Sequence, residues 1–115
     1  MGDVEERLQR GIDHRVEGRY EEAIAEFKGI IDADDNNCEA HRQLGLVYGF
    51  SGLFDESLEE LKMAVELSPQ NIDALNDLAM TYAMLGMYDE AKEHFMVVME
   101  LDPSNDVARK QLTYF

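Results

Sequence analysis

Cys38 and His41 stand three residues apart, a spacing that places a thiol and an imidazole on one helical face and makes half of a zinc site. Structural zinc wants four such ligands, and the remaining histidines, His14 and His94, fall elsewhere in the pattern. Asp32-Ala33-Asp34-Asp35-Asn36-Asn37 opens like a calcium loop, but Asn37 stands where the turn needs glycine. Gln43 stands where the bidentate glutamate belongs. Acidic side chains abound, yet abundance on helix surfaces is not a paired acid and base in a cleft. The glycines form no nucleophile elbow, phosphate loop or dinucleotide motif. The expectation is a chain with no catalytic residues, no metal and no cofactor.

What chemistry remains is that of a charged surface. The chain has 115 residues, with 25 Asp and Glu against 10 Lys and Arg, a formal net charge of −15. Such a charge disfavours nucleic acid and anionic membrane surfaces, whose phosphates are met by Lys and Arg. It favours a basic partner, or only keeps an exposed helical surface soluble. One cysteine cannot close an intramolecular disulfide, which leans towards a reducing compartment. The opening Gly2-Asp3-Val4-Glu5-Glu6 is acidic where a secretory leader is basic and then apolar. No apolar run approaches the roughly 20 residues that cross a bilayer. These features together predict a cytoplasmic protein.

The elements that carry this surface are set by a period. Gly18-Arg19-Tyr20-Glu21-Glu22 recurs 34 residues on as Gly52-Leu53-Phe54-Asp55-Glu56, and again as Gly86-Met87-Tyr88-Asp89-Glu90. A constant interval of this length means a stack of small units with no unique centre. Units at 4–37, 38–71 and 72–105 each end in asparagine (Asn37, Asn71, Asn105), a strong cap for the next helix. Pro69 and Pro103 stop the preceding helix in two copies, and Asp35 stands in that column of the first. Glycine at 18, 52 and 86 suits a left-handed helix end, and the acidic pair after each aromatic suits a helix start. Small residues at Gly11, Gly45 and Ala79 face bulky Phe27, Leu61 and Phe95. The spacing is helical throughout, so the fold class is all-α, one domain over 1–115.

The order Leu44-Gly45, Tyr48, Gly52, Phe54, Ser57, Leu61, Ala64, Pro69 resembles the tetratricopeptide repeat. So does Leu78-Ala79, Tyr82, Gly86, Tyr88, Ala91, Phe95, Val98, Pro103. The resemblance implies a right-handed α-solenoid of three helix pairs plus a short C-terminal helix at 106–115, serving protein–protein interaction. The first copy departs, with Arg10 for Leu44 and His14 for Tyr48. Its first helix is either a polar-backed cap or packs on something beyond this chain.

The resemblance further implies that the first helix of each pair lines a concave groove. Its apolar strip then comprises Ile12, Val16, Leu46, Phe50, Met80 and Met84, its polar and acidic end Glu5, Glu39, Asp73 and Asp77, and Leu8, Arg42 and Asn76 face inward beside them. An apolar floor with an acidic margin suits a peptide or helix carrying Lys or Arg beside hydrophobic anchors. Some family members clamp acidic heat-shock-protein tails with Lys, Asn and Arg. The corresponding columns here hold Leu8, Ile12, Gln43, Asp73 and Asp77, so such a clamp is not expected. The expected function is a protein–protein interaction scaffold. Its alternatives are a self-assembling module, paired through the groove or the C-terminal end, and a targeting or regulatory segment of a larger protein.

Overall fold

The computed structural model describes residues 2–115. Seven helices follow one another: α1 (Gly2–Val16), α2 (Tyr20–Ala33), α3 (Cys38–Phe50), α4 (Phe54–Leu67), α5 (Ile72–Met84), α6 (Tyr88–Leu101) and α7 (Asp106–Leu112). They form three antiparallel pairs and a single closing helix, stacked as a right-handed all-α solenoid. Each helix packs mainly on its neighbours in the chain. The odd-numbered helices meet one another only lightly, which leaves crevices between them.

The same two joints are built three times. Gly18, Gly52 and Gly86 take φ of 78°, 80° and 77°, the left-handed region that disfavours a Cβ. The amide of Leu53 then reaches back to the Tyr48 carbonyl (2.8 Å), and that of Gly52 to Gly49 (3.0 Å). Met87 and Gly86 repeat the pattern on Tyr82 and Ala83. These paired bonds satisfy carbonyls that a helix end leaves free. At the other joint, the Asn37, Asn71 and Asn105 side chains accept from the amides of Ala40, Ala74 and Ala108 at 2.9, 3.0 and 3.0 Å. The first of these joints closes like the others although it lacks proline. Asp34 Oδ1 accepts from Asn36 N there (3.1 Å), and the Asp35 carbonyl lies 2.8 Å from His41 Nε2.

Within each pair the small column meets the bulky one. Phe27, Leu61 and Phe95 are fully buried or nearly so, as are Ala23, Ser57 and Ala91 beside them. Leu44 packs on Ala23 and Phe27 of the preceding pair, and Leu78 likewise joins a cluster containing Leu61. Arg10, in the same column, turns to Glu26 instead. Glu26 accepts from Arg7 Nε (2.8 Å) and Arg10 Nε (3.0 Å). The bond from Arg10, helped by Arg7, holds the Glu26 carboxyl below the usual carboxylate range against the opposing effect of burial.

A tight approach lies at Gly11, where an added Cβ would run into the Phe27 ring. Gly11→Ala is expected to destabilise the chain by about 1–3 kcal/mol, because neither the ring nor α2 has room to withdraw. Urea unfolding measures this; an unchanged midpoint would mean that the first pair is loosely packed.

Candidate partner-binding groove

Between α3 and α5 lies an open cleft of about 240 Å³. Leu46, Gly49 and Phe50 of α3 form one wall, and Asp77, Met80 and Met84 of α5 the other. Phe54, Ser57 and Leu61 of α4 close the back. Gly49 gives the cleft its depth, since a Cβ there would meet only Ser57 Oγ at 3.4 Å. Phe50 and Met84 are 58% and 63% exposed, far more than a packing role requires. Phe50 is nevertheless held in place: it stacks on Tyr20 with ring centroids 6.4 Å apart, and the Arg15 guanidinium lies 5.8 Å from its centroid.

The residues expected in the groove separate into two sets. Leu46, Phe50, Met80 and Met84 come together in this cleft, with Asp77 beside them. Leu8 and Ile12 instead pack against Phe27, Leu44 and Val47, in the core of the first pair. Asn76 also turns inward: it is buried, and its Nδ2 donates to Asn105 Oδ1 (3.2 Å). Val16 is exposed and outside the cleft. Phe54 and Thr81, which also line the cleft, and Tyr20, which stacks on Phe50, were not anticipated here. Their signal was present in the repeat columns, which place Tyr20 and Phe54 at equivalent points.

The polar end of the groove is an ion cluster. Arg42 Nε donates to Asp77 Oδ2 (2.7 Å), and Arg42 Nη1 to Glu39 Oε2 (3.0 Å). Glu39 Oε2 also accepts from Gln43 Nε2 (2.9 Å). Asp73, exposed, adds its charge to both members of the central pair. Three carboxylates thus surround one guanidinium. Burial works against the charge on Arg42, but the surrounding anions outweigh it and hold the guanidinium charged. Burial pushes the Asp77 carboxyl above its ordinary range; Arg42 opposes this, and Asp73 and Glu39 reinforce it. One cation is over-satisfied and its anions are under-satisfied. The cluster carries surplus negative charge.

The candidate ligands for metal are otherwise engaged. Cys38 Sγ donates to the Ala64 carbonyl (3.3 Å), and burial, before the nearby Glu39 charge, raises its thiol pKa. His41 lies between Glu60 Oε1 and the Asp35 carbonyl, 2.8 Å from each. Among the described residues, no group of three or more His, Cys, Asp and Glu is placed to hold a metal ion. No helix among them is long and apolar enough to cross a membrane.

The family model for the tetratricopeptide repeat matches residues 37–104. No curated protein sequence matches the chain. Among solved structures, the second TPR domain of human RPAP3, in complex with the HSP70 peptide SGPTIEEVD, is 27% identical with a TM-score of 0.88. That match covers 94% of this chain and 90% of the other. The first TPR domain of human RPAP3 is 24% identical with a TM-score of 0.92, covering 98% and 89%. The first TPR of Spaghetti (RPAP3), bound to the HSP90 peptide SRMEEVD, has the same identity and TM-score, covering 96% and 88%.

The Asp77 carboxyl supplies a test of the ion cluster. Its folded-state pKa lies above the ordinary value of 3.8. Its contribution to stability is therefore full below that ordinary value and lost as pH rises through the folded one. Asp77→Asn does not titrate, so the parent should gain stability relative to the variant as pH falls from 7 to 3.5. Urea unfolding of both proteins over that range measures the difference. A relative loss by the parent on acidification would show that Arg42 more than compensates the burial.

Proposed function

The chain belongs to the tetratricopeptide repeat family, and on that premise we propose that it is a protein-interaction scaffold that binds a basic, partly apolar peptide segment in its groove. The observation that carries this reading is the α3–α5 cleft, where exposed Phe50 and Met84 stand beside a carboxylate cluster with surplus negative charge. An apolar side chain inserted between Met80, Met84 and Phe50 would gain about 1.5–3 kcal/mol from burial. A Lys or Arg beside it would meet Asp73 and share Glu39. Such pairing speeds encounter and weakens with salt. Methionine walls adapt to side chains of different shape, so the pocket selects for apolar bulk more than for one residue type.

The second TPR domain of human RPAP3 supports the peptide-binding part of this reading through its complex with SGPTIEEVD. That peptide contains three carboxylate side chains and no cation. Asp73 and Asp77 in this chain would repel it, so the same architecture is read here with the opposite charge preference. The formal charge of −15 also makes a second copy of this chain an unfavourable occupant.

Selection of random peptides on the immobilised protein tests the proposal. Enriched sequences should combine Lys or Arg with Leu, Phe or Met, and bind about tenfold more weakly when Asp73 is replaced by Lys. Phe50→Glu with Met84→Glu should abolish capture. Enrichment of acidic sequences, or capture indifferent to both changes, would refute the reading.

A further inference from the structure

A second apolar cleft, of about 390 Å³, lies between α5 and α7, lined by Ala83, Tyr88, Gln111, Tyr114 and Phe115. Moving each of these back by one 34-residue period gives Gly49, Phe54, Asp77, Met80 and Thr81, and every one of those lines the α3–α5 cleft. The second cleft is therefore the first one carried forward by a repeat. The same translation applied one step earlier reaches Arg15, Tyr20, Gln43 and Phe50, and there the space is filled. Arg15 Nε donates to Gln43 Oε1 (3.1 Å), its guanidinium lies over the Phe50 ring, and Tyr20 stacks on that ring. One column decides the outcome: Arg15 closes the first interval, whereas Gly49 and Ala83 leave the next two open.

From this we infer that the groove is a two-anchor reader, whose ligand is an extended segment presenting two apolar side chains to successive clefts with a cation beside the first anchor only. The inference rests on the binding function proposed above and deepens it. Each cleft is sized for one side chain, not for a whole helix. Adjacent packed helices lie about 10 Å apart, which sets the order of the distance between the anchors. A polyproline-II segment has three residues per turn and rises about 3.1 Å per residue, so residues i and i+3 face one side about 9 Å apart. The charge asymmetry follows from the same columns. Asp77, within the ion cluster, lines the first cleft, and its counterpart Gln111 in the second is neutral. Tyr88 and Tyr114 are 60% and 70% exposed, and the Tyr88 ring is packed 6.2 Å from that of Phe115.

Synthetic fluorescein-labelled peptides containing one phenylalanine, or two at spacings of one, two, three and five residues, with a lysine beside the first, provide the probe. Fluorescence anisotropy should show the i,i+3 peptide binding at least about tenfold more tightly than the single-anchor peptide. Tyr114→Asp, whose side chain is too exposed to support the fold, should reduce the i,i+3 peptide to the single-anchor level and leave the single-anchor peptide unaffected. Circular dichroism confirms that the variant remains helical. Arg15→Gly should open the first interval as well and give an i,i+3,i+6 peptide an added gain that the parent lacks. Equal binding of one- and two-anchor peptides, still lost with Met84→Glu, would overturn the two-anchor inference alone. Binding by none of the peptides would overturn the groove reading with it. A doubled mass by sedimentation that Tyr114→Asp abolishes would assign the second cleft to another copy and overturn the inference.

Discussion

The close approach of two helices across a column of minimal side chains is the contact on which the structure depends. Gly11, Gly45 and Ala79 let Phe27, Leu61 and Phe95 reach the facing backbone, and the bulky residues are then sealed from water. The third copy admits a methyl group in this column and the first two do not: a Cβ at Gly45 would lie 2.7 Å from Leu61 Cγ. Because that contact sits at the same depth in every pair, the pairs present matching surfaces to each other and can be stacked by translation along the chain. The left-handed glycines and capping asparagines finish this arrangement by satisfying helix-end groups at each joint. Neither the left-handed glycines nor the capping asparagines line the groove, so joints and recognition occupy separate columns.

The separation explains how the acidic surplus is tolerated. Most carboxylates face water, where screening makes their mutual repulsion small. Where they crowd a partly buried place they are met unequally. Glu26 is held by two arginines and sits below the usual range, whereas Asp77 shares one arginine with Glu39 and sits above it. The first arrangement ties α1 to α2. The second leaves unmet charge at the edge of an open cleft.

Much of this was legible in the sequence because the period samples each position three times. The asparagine caps, the glycine turns, the fully buried columns and the odd status of Arg10 all follow from comparing a residue with its counterparts 34 places away. Phe50, Met80 and Met84 were expected in the groove from the resemblance to the tetratricopeptide repeat, which the period alone does not supply. What the period does not carry is the choice a long side chain makes between neighbours. Arg42 joins Asp77, 35 residues on, and Glu39, three residues back, a choice set by rotamers and by the curvature of the stack. Leu8, Ile12 and Asn76 share columns with groove residues yet turn into the packing. In the first copy, α1 has only α2 and α3 to cover its apolar face, so Leu8 and Ile12 are drawn down onto Phe27 and Leu44. Asn76 donates to Asn105, whereas Arg42, its longer counterpart one period earlier, reaches Asp77 and Glu39.

A stack of near-identical units has no single position at which a site must lie, so what confines the groove has to be a departure from the repeat. Arg15 is such a departure. It occupies a column otherwise held by glycine and alanine, and its guanidinium finds a ring and an amide within reach only because Phe50 and Gln43 belong to the next pair. The contact ties the first pair to the second and fills the first interval in one step. A shorter side chain there would leave Phe50 supported by Tyr20 alone. The filled first interval and the fixed position of Phe50 therefore have a common cause, and the arginine responsible lies on the same helix as the two that hold Glu26.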